Sequence, residues 1–92
     1  MYYTYCLQSI ENNRLYIGYT SDLKRRFEEH NTKIGGDFTS KNGPWKLIFY
    51  EAFIDKKDAE KQERFYKKGC GREVLKNKLQ NYFSNYTYSR IV

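Results

Sequence analysis

The sequence has few of the residues that build metal cages, disulfide frameworks or triad-type active sites. It carries two cysteines, Cys6 and Cys70, and a single histidine, His30. Cysteines placed so far apart form neither a closely spaced zinc pattern nor a disulfide scaffold. A reduced, cytoplasmic setting with no disulfide partner is therefore expected. The start, Met1-Tyr2-Tyr3-Thr4, lacks the basic beginning and apolar run of a signal peptide. No apolar stretch is long enough to span a bilayer, so no membrane partner is expected. A serine–histidine–aspartate set, a glycine-rich phosphate loop and clustered metal ligands are all missing, which leaves most enzyme classes without support. Repeats, linkers and low-complexity blocks are missing too.

What is present fits one small soluble domain. The 92 residues suffice for one core and not two, with a thin stability margin. Hydrophobic residues make up 39% and charged residues 30%. Aromatics reach 18%, including ten tyrosines, which suit strands and also stack on or hydrogen-bond to ligands. Lysine and arginine total 17 against 11 acids, a net charge of +6. That balance favours a polyanionic partner, nucleic acid before an anionic membrane surface.

The pattern along the chain predicts α+β architecture. Tyr2 to Gln8 reads as a strand, with Tyr3, Tyr5 and Leu7 on one face and Tyr2, Thr4 and Cys6 on the other. Glu11 to Arg14 is a polar turn, and Leu15 to Tyr19 a second strand of an antiparallel hairpin. Thr20 or Ser21 can cap a helix from about Asp22 to Asn31, whose Leu23, Arg26, Phe27 and His30 share a face. Thr32 to Pro44 is a loop bending at Gly35-Gly36. Trp45 to Phe53 is a third strand, with Leu47, Phe49 and Glu51 opposite Ile48, Tyr50 and Ala52. Asp55 caps a second helix reaching about Lys68, which Gly69-Cys70-Gly71 stops through a left-handed cap. A third helix covers roughly Arg72 to Tyr82, with Leu75, Leu79 and Tyr82 in a stripe. The expected fold is a small three-stranded antiparallel sheet flanked by helices, ordered β-β-α-β-α-α. One domain covers residues 1–83 and a polar tail residues 84–92.

Four kinds of residue could carry chemistry. Arg26 lies on the apolar helix face, where a cation needs a carboxylate, an anionic ligand or a route out to solvent. Glu63 shares the inward stripe of Ala59 and Tyr66, where a carboxylate needs a salt bridge or a metal. Tyr5 and Tyr16 could face one side from neighbouring strands, and in a chain with ten tyrosines simple strand packing is the better account of them on pattern alone. His30, one turn past Arg26, could shuttle protons, hold a phosphate, or sit at the surface near the helix end.

In order along the chain, these residues resemble the GIY-YIG nuclease superfamily over nearly the whole length. The first motif stands as Tyr3-Thr4-Tyr5, keeping the final tyrosine. The second is intact as Tyr16-Ile17-Gly18 and runs on through Tyr19-Thr20-Ser21-Asp22-Leu23-Lys24-Arg25-Arg26-Phe27-Glu28-Glu29-His30-Asn31. Ala59, Glu63 and Lys67 resemble the later helix that supplies a metal-binding glutamate. The resemblance implies that Tyr5 and Tyr16 are the motif tyrosines, Arg26 the helix arginine (with Arg25 its rival), His30 the following histidine and Glu63 the metal ligand. It further implies one divalent ion, Mg²⁺ or Mn²⁺, and hydrolysis of DNA phosphodiester bonds. Tyr5 would be the base, with its phenolate favoured by Arg26. Lys24, Arg25, Lys33 and Lys41 would add unspecific backbone contacts. With no room for an added recognition domain, cutting is expected to be weakly specific or guided by DNA structure, beside a repair or recombination protein. The alternative is a nucleic-acid-binding module without catalysis.

Overall fold

The structure is a computed structural model that describes residues 1–32 and 42–85. Strand β1 (Tyr2–Ser9) is central, between β2 (Leu15–Thr20) and β3 (Trp45–Phe53), antiparallel to both, in the order β2-β1-β3. Helix α1 (Leu23–Asn31) follows β2, and α2 (Lys56–Tyr66), α3 (Gly69–Lys78) and α4 (Gln80–Asn85) follow β3. This is the expected three-stranded sheet with helices, in the order β-β-α-β-α-α-α.

Because side chains alternate across a strand, β1 feeds two cores at once. Cys6, Leu15, Ile17, Tyr66 and Leu75 form one cluster beneath α2 and α3. Tyr5, Leu7 and Trp45 form the other, joined by Leu23 and Phe27 of α1. The sheet is thus covered by α1 on one face and by the later helices on the other. The Asn12-Asn13 turn fits its residues: Asn13 has a φ of 62°, a conformation asparagine tolerates better than most.

Four local expectations are corrected. The side chain of Asp22, not Thr20 or Ser21, caps α1 by accepting from the Arg25 amide. Helix α2 stops at Tyr66 with Lys67 as its cap, before the glycines. Gly69, Cys70 and Gly71 instead open α3, and no described glycine has a positive φ. Gly71 is demanded by proximity: a Cβ there would lie 1.7 Å from the Phe65 carbonyl oxygen. The single third helix is two, broken at Leu79, and α4 carries on through Ser84 to Asn85. Finally, a bulge between Cys6 and Leu7 shifts the β3 register. Leu47 therefore packs with Tyr5 and Trp45, whereas Ile48 and Phe49 both join the cluster under α2.

Polar ties fix the edges of this frame. The Asn31 side chain accepts from the Trp45 amide at 2.7 Å and donates to the Trp45 carbonyl at 3.1 Å, locking the end of α1 to the start of β3. Tyr82 of α4 donates to Gln8 of β1. Glu51 on β3 accepts from Tyr66 at 2.6 Å, Gln62 at 3.1 Å and Lys78 at 2.7 Å, joining the sheet to α2 and α3. Among the described residues, no helix is long and apolar enough to cross a membrane.

Candidate active site

Strand register brings the two motif tyrosines together. Tyr5 pairs with Gly18 and Leu7 with Tyr16, so Tyr5 and Tyr16 lie diagonally on the face that α1 covers. Their rings are 6.4 Å apart. Tyr16 also meets the His30 ring edge-on at 4.9 Å and the Trp45 ring at 6.2 Å. A Cβ at Gly18 would come within 2.6 Å of the Tyr5 hydroxyl oxygen. The glycine of the second motif is thus the space that the first motif's phenol fills.

Helix α1 adds the basic groups. His30, in its last turn, is buried, so the surface reading of this residue is set aside. Its Nε2 lies 2.9 Å from the Tyr5 hydroxyl. Nδ1 is buried with no hydrogen-bond partner among the described residues. Burial, and then the Arg26 charge, push His30 down to about 4 against a weaker opposing pull from Glu29, so the ring is neutral at pH 7. The half-buried Arg26 bonds Glu29 through Nη1 at 3.0 Å and sits close enough to Tyr5 to act on its hydroxyl. Arg25 points outward, 68% exposed, 3.9 Å from Glu29.

Burial raises the Tyr5 phenol well above its ordinary range, the nearby Tyr16 adds to the rise, and Arg26 only partly opposes it. The expected phenolate is therefore corrected: Tyr5 is held as a neutral phenol, because losing water around a buried anion outweighs one neighbouring cation.

Glu63 comes to the same edge from α2. Its side chain is 18% exposed and bonds Lys67 Nζ at 3.1 Å, the salt bridge that its inward position allowed. Lys67 in turn lies 5.9 Å from the centre of the Tyr16 ring. The Glu63 carboxylate also acts electrostatically on Tyr5 and Tyr19. Tyr5, Tyr16, Arg26, His30 and Glu63 thus converge at the edge formed by β2, α1 and α2. Lys24 is exposed at the start of α1. Lys33 and Lys41, with the Gly35-Gly36 bend, lie outside the described residues.

The sequence assigns no role to Glu29 or Trp45, and marks Gly18 and Lys67 only as members of the resembling motifs. For Glu29 and Lys67 the available signal was charge pairing at i+3 and i+4 along a helix. For Gly18 and Trp45 only strand register reveals the role. A cavity of about 450 Å³ opens beside this cluster, along β1 between Tyr3, Leu23, Phe27, Leu47 and Tyr50.

Among the described residues, no three histidine, cysteine, aspartate or glutamate side chains gather as a ready metal cage. A lone half-buried carboxylate still suits Mg²⁺ or Mn²⁺. Such hard cations are commonly held by one or two carboxylates, water and substrate phosphate oxygens. Glu63 fits that role if Lys67 turns aside.

Known proteins are similar to this chain in sequence and fold. A UPF0213 protein of Clostridium perfringens is 37% identical over 68 residues, covering 74% of this chain and 72% of its own length. A UPF0213 protein of Pediococcus acidilactici is 39% identical over 77 residues, covering 82% and 78%. The solution NMR structure of a UPF0213 protein from Bacillus halodurans superposes with a TM-score of 0.54 at 30% identity over 95% of both chains. The family model described as the GIY-YIG catalytic domain matches residues 1–86, which takes in both tyrosine strands and the helices bearing Arg26, His30 and Glu63. This chain therefore belongs to the GIY-YIG family, a family of nucleases that generally use a divalent metal ion.

Proposed function

We propose that this protein is a metal-dependent endonuclease that hydrolyses DNA phosphodiester bonds. It would do so with little sequence specificity or guided by DNA structure, in repair or recombination. One observation carries the reading: a buried phenol bonded to a neutral imidazole beside a guanidinium, at the edge where Glu63 stands.

Hydrolysis needs a deprotonated water, charge neutralisation on the phosphate and a stabilised leaving oxygen. A neutral Tyr5 is suited to relay rather than to deprotonate alone. Its oxygen takes the water proton as its own hydrogen passes to His30 Nε2, which leaves the ring hydrogen on the unpartnered Nδ1. Tyr16 orients the water or the phosphate. Arg26 offers its planar fork of donors to the developing phosphate charge, and Glu29 holds that fork in place. Glu63 would hold one Mg²⁺ or Mn²⁺, whose chemistry when bound is charge neutralisation at phosphate and leaving-group oxygens. Lys24, Arg25, Lys33 and Lys41 would add contacts to the backbone.

The test is nicking of supercoiled plasmid with Mg²⁺ or Mn²⁺. Tyr5→Phe and Arg26→Ala should each lose about 10²-fold or more. Glu63→Ala should lose metal dependence while staying folded. The Glu63–Lys67 ion pair favours the second reading, a binding module without catalysis. DNA binding with no nicking by wild type, or unfolding of Glu63→Ala, would support that reading instead.

A further inference from the structure

The cations of α2 are sorted by direction. Lys57, Lys61 and Arg64 follow at spacings of four and three, which places them on one flank of α2, and Lys68 stands just past the helix end in extended backbone. All four are exposed. The acids of the helix do not neutralise them evenly. Glu60 is engaged by Tyr19 at 2.8 Å and by Arg64 at 3.3 Å, and Glu63 by Lys67 at 3.1 Å. Lys57, Lys61 and Lys68 make no ion pair among the described residues. A helix face that only needs solvation sets opposite charges at i and i+4. Here Lys57 and Lys61 are a like-charge pair at that spacing, which destabilises a helix. Arg72, exposed on the first turn of α3, extends the basic run past Lys68.

We infer that this flank is a second DNA contact, a track for the sugar–phosphate backbone of duplex DNA beside the cutting site. Its length fits: the seven steps from Lys57 to Arg64 cover roughly 10 Å at helical rise, and Lys68 carries the run further. One strand of duplex presents about three phosphates over roughly 10 Å. Its position fits as well, since Lys67 and Glu63 occupy the adjoining flank of α2, turned toward Tyr16. A duplex lying on the track is led to the candidate active site from the α2 side, while Lys24 and Arg25 stand on α1. The inference rests on the nuclease reading for its substrate, but the stripe makes its own prediction about binding.

The experiment measures duplex DNA affinity against salt for wild type and for Lys57→Gln/Lys61→Gln/Arg64→Gln/Lys68→Gln. These are surface positions, and glutamine keeps helix propensity. Each lost phosphate contact should flatten the slope of log affinity against log salt by about 0.9, so the quadruple variant should lose up to about 3.6. A second variant adds Glu11→Gln, Glu28→Gln and Glu73→Gln at exposed acids, returning three of the four lost charges. The slope should stay flattened there. Recovery of slope and affinity in that variant would assign the effect to net charge and overturn the track. An unchanged slope in the quadruple variant overturns it directly, while wild-type nicking leaves the nuclease reading standing. A flattened slope in the quadruple variant, with a wild type that never nicks, would keep the track and remove the nuclease. Absence of duplex binding by wild type removes both.

Discussion

The Tyr5 hydroxyl fills the space that any side chain at position 18 would need, and it is there that it meets His30. The tyrosine of one motif and the glycine of the other are therefore a single steric unit. Gly18→Ala should displace the phenol by a fraction of an ångström to an ångström. Misplacement on that scale can cost about 10²-fold in rate. Plasmid nicking alongside thermal melting would separate the two consequences: activity should fall far more than stability. Full activity in a folded Gly18→Ala protein would mean that the Tyr5–His30 contact is not used. Tyr5, Arg26 and His30 were legible as candidates from order and spacing. The neutral state of the phenol was not, because it depends on how much water the fold removes.

Elements meet most tightly where α3 starts against the end of α2. The Cβ of an alanine at Gly71 would overlap the Phe65 carbonyl oxygen, and backbone cannot step aside as a side-chain tip can. Gly71→Ala should therefore push α3 off α2 and destabilise the protein by about 1–3 kcal/mol. Denaturant titration checks this, and Gly69→Ala is the control, since a Cβ there meets nothing within 4 Å. The sequence pointed to these glycines as helix breakers because glycine commonly ends helices. The close approach that Gly71 permits arises only once two helices are docked. The β3 bulge belongs to the same class: Leu47 alternates correctly along its own strand, and changes side only through its pairing with β1.

For the whole molecule, the buried His30 and the partly buried Glu51 shape the acid side of stability. His30 titrates at about 4 in the fold against 6.5 when free, so the unfolded chain takes up its proton first as pH falls. Stability should decline from pH 6.5 toward 4, by about 3 kcal/mol at most. Burial alone would raise the Glu51 carboxyl, but its bonds from Lys78, Tyr66 and Gln62 together hold it below 4.5. Its contribution is present above that value and is lost as pH falls through the lower folded value. Urea unfolding across pH 7.5 to 3.5 should show both windows. His30→Phe should remove the upper decline and Glu51→Gln the lower. A flat profile from pH 7 to 4.5 in wild type would contradict the neutral, buried state of His30.

By itself the sequence determined the strands, the first two helices in outline, the basic character and the order of the motif residues. Those properties follow from local periodicity, cap chemistry and composition, which a linear chain displays. Tertiary structure decided that Tyr5 is neutral, that Gly18 makes its space, that Leu47 crosses to the other core and that Lys67 meets the Tyr16 ring. Each of these depends on groups far apart in the chain sharing one volume from which water is largely excluded. Packing and desolvation of that kind have no one-dimensional signature.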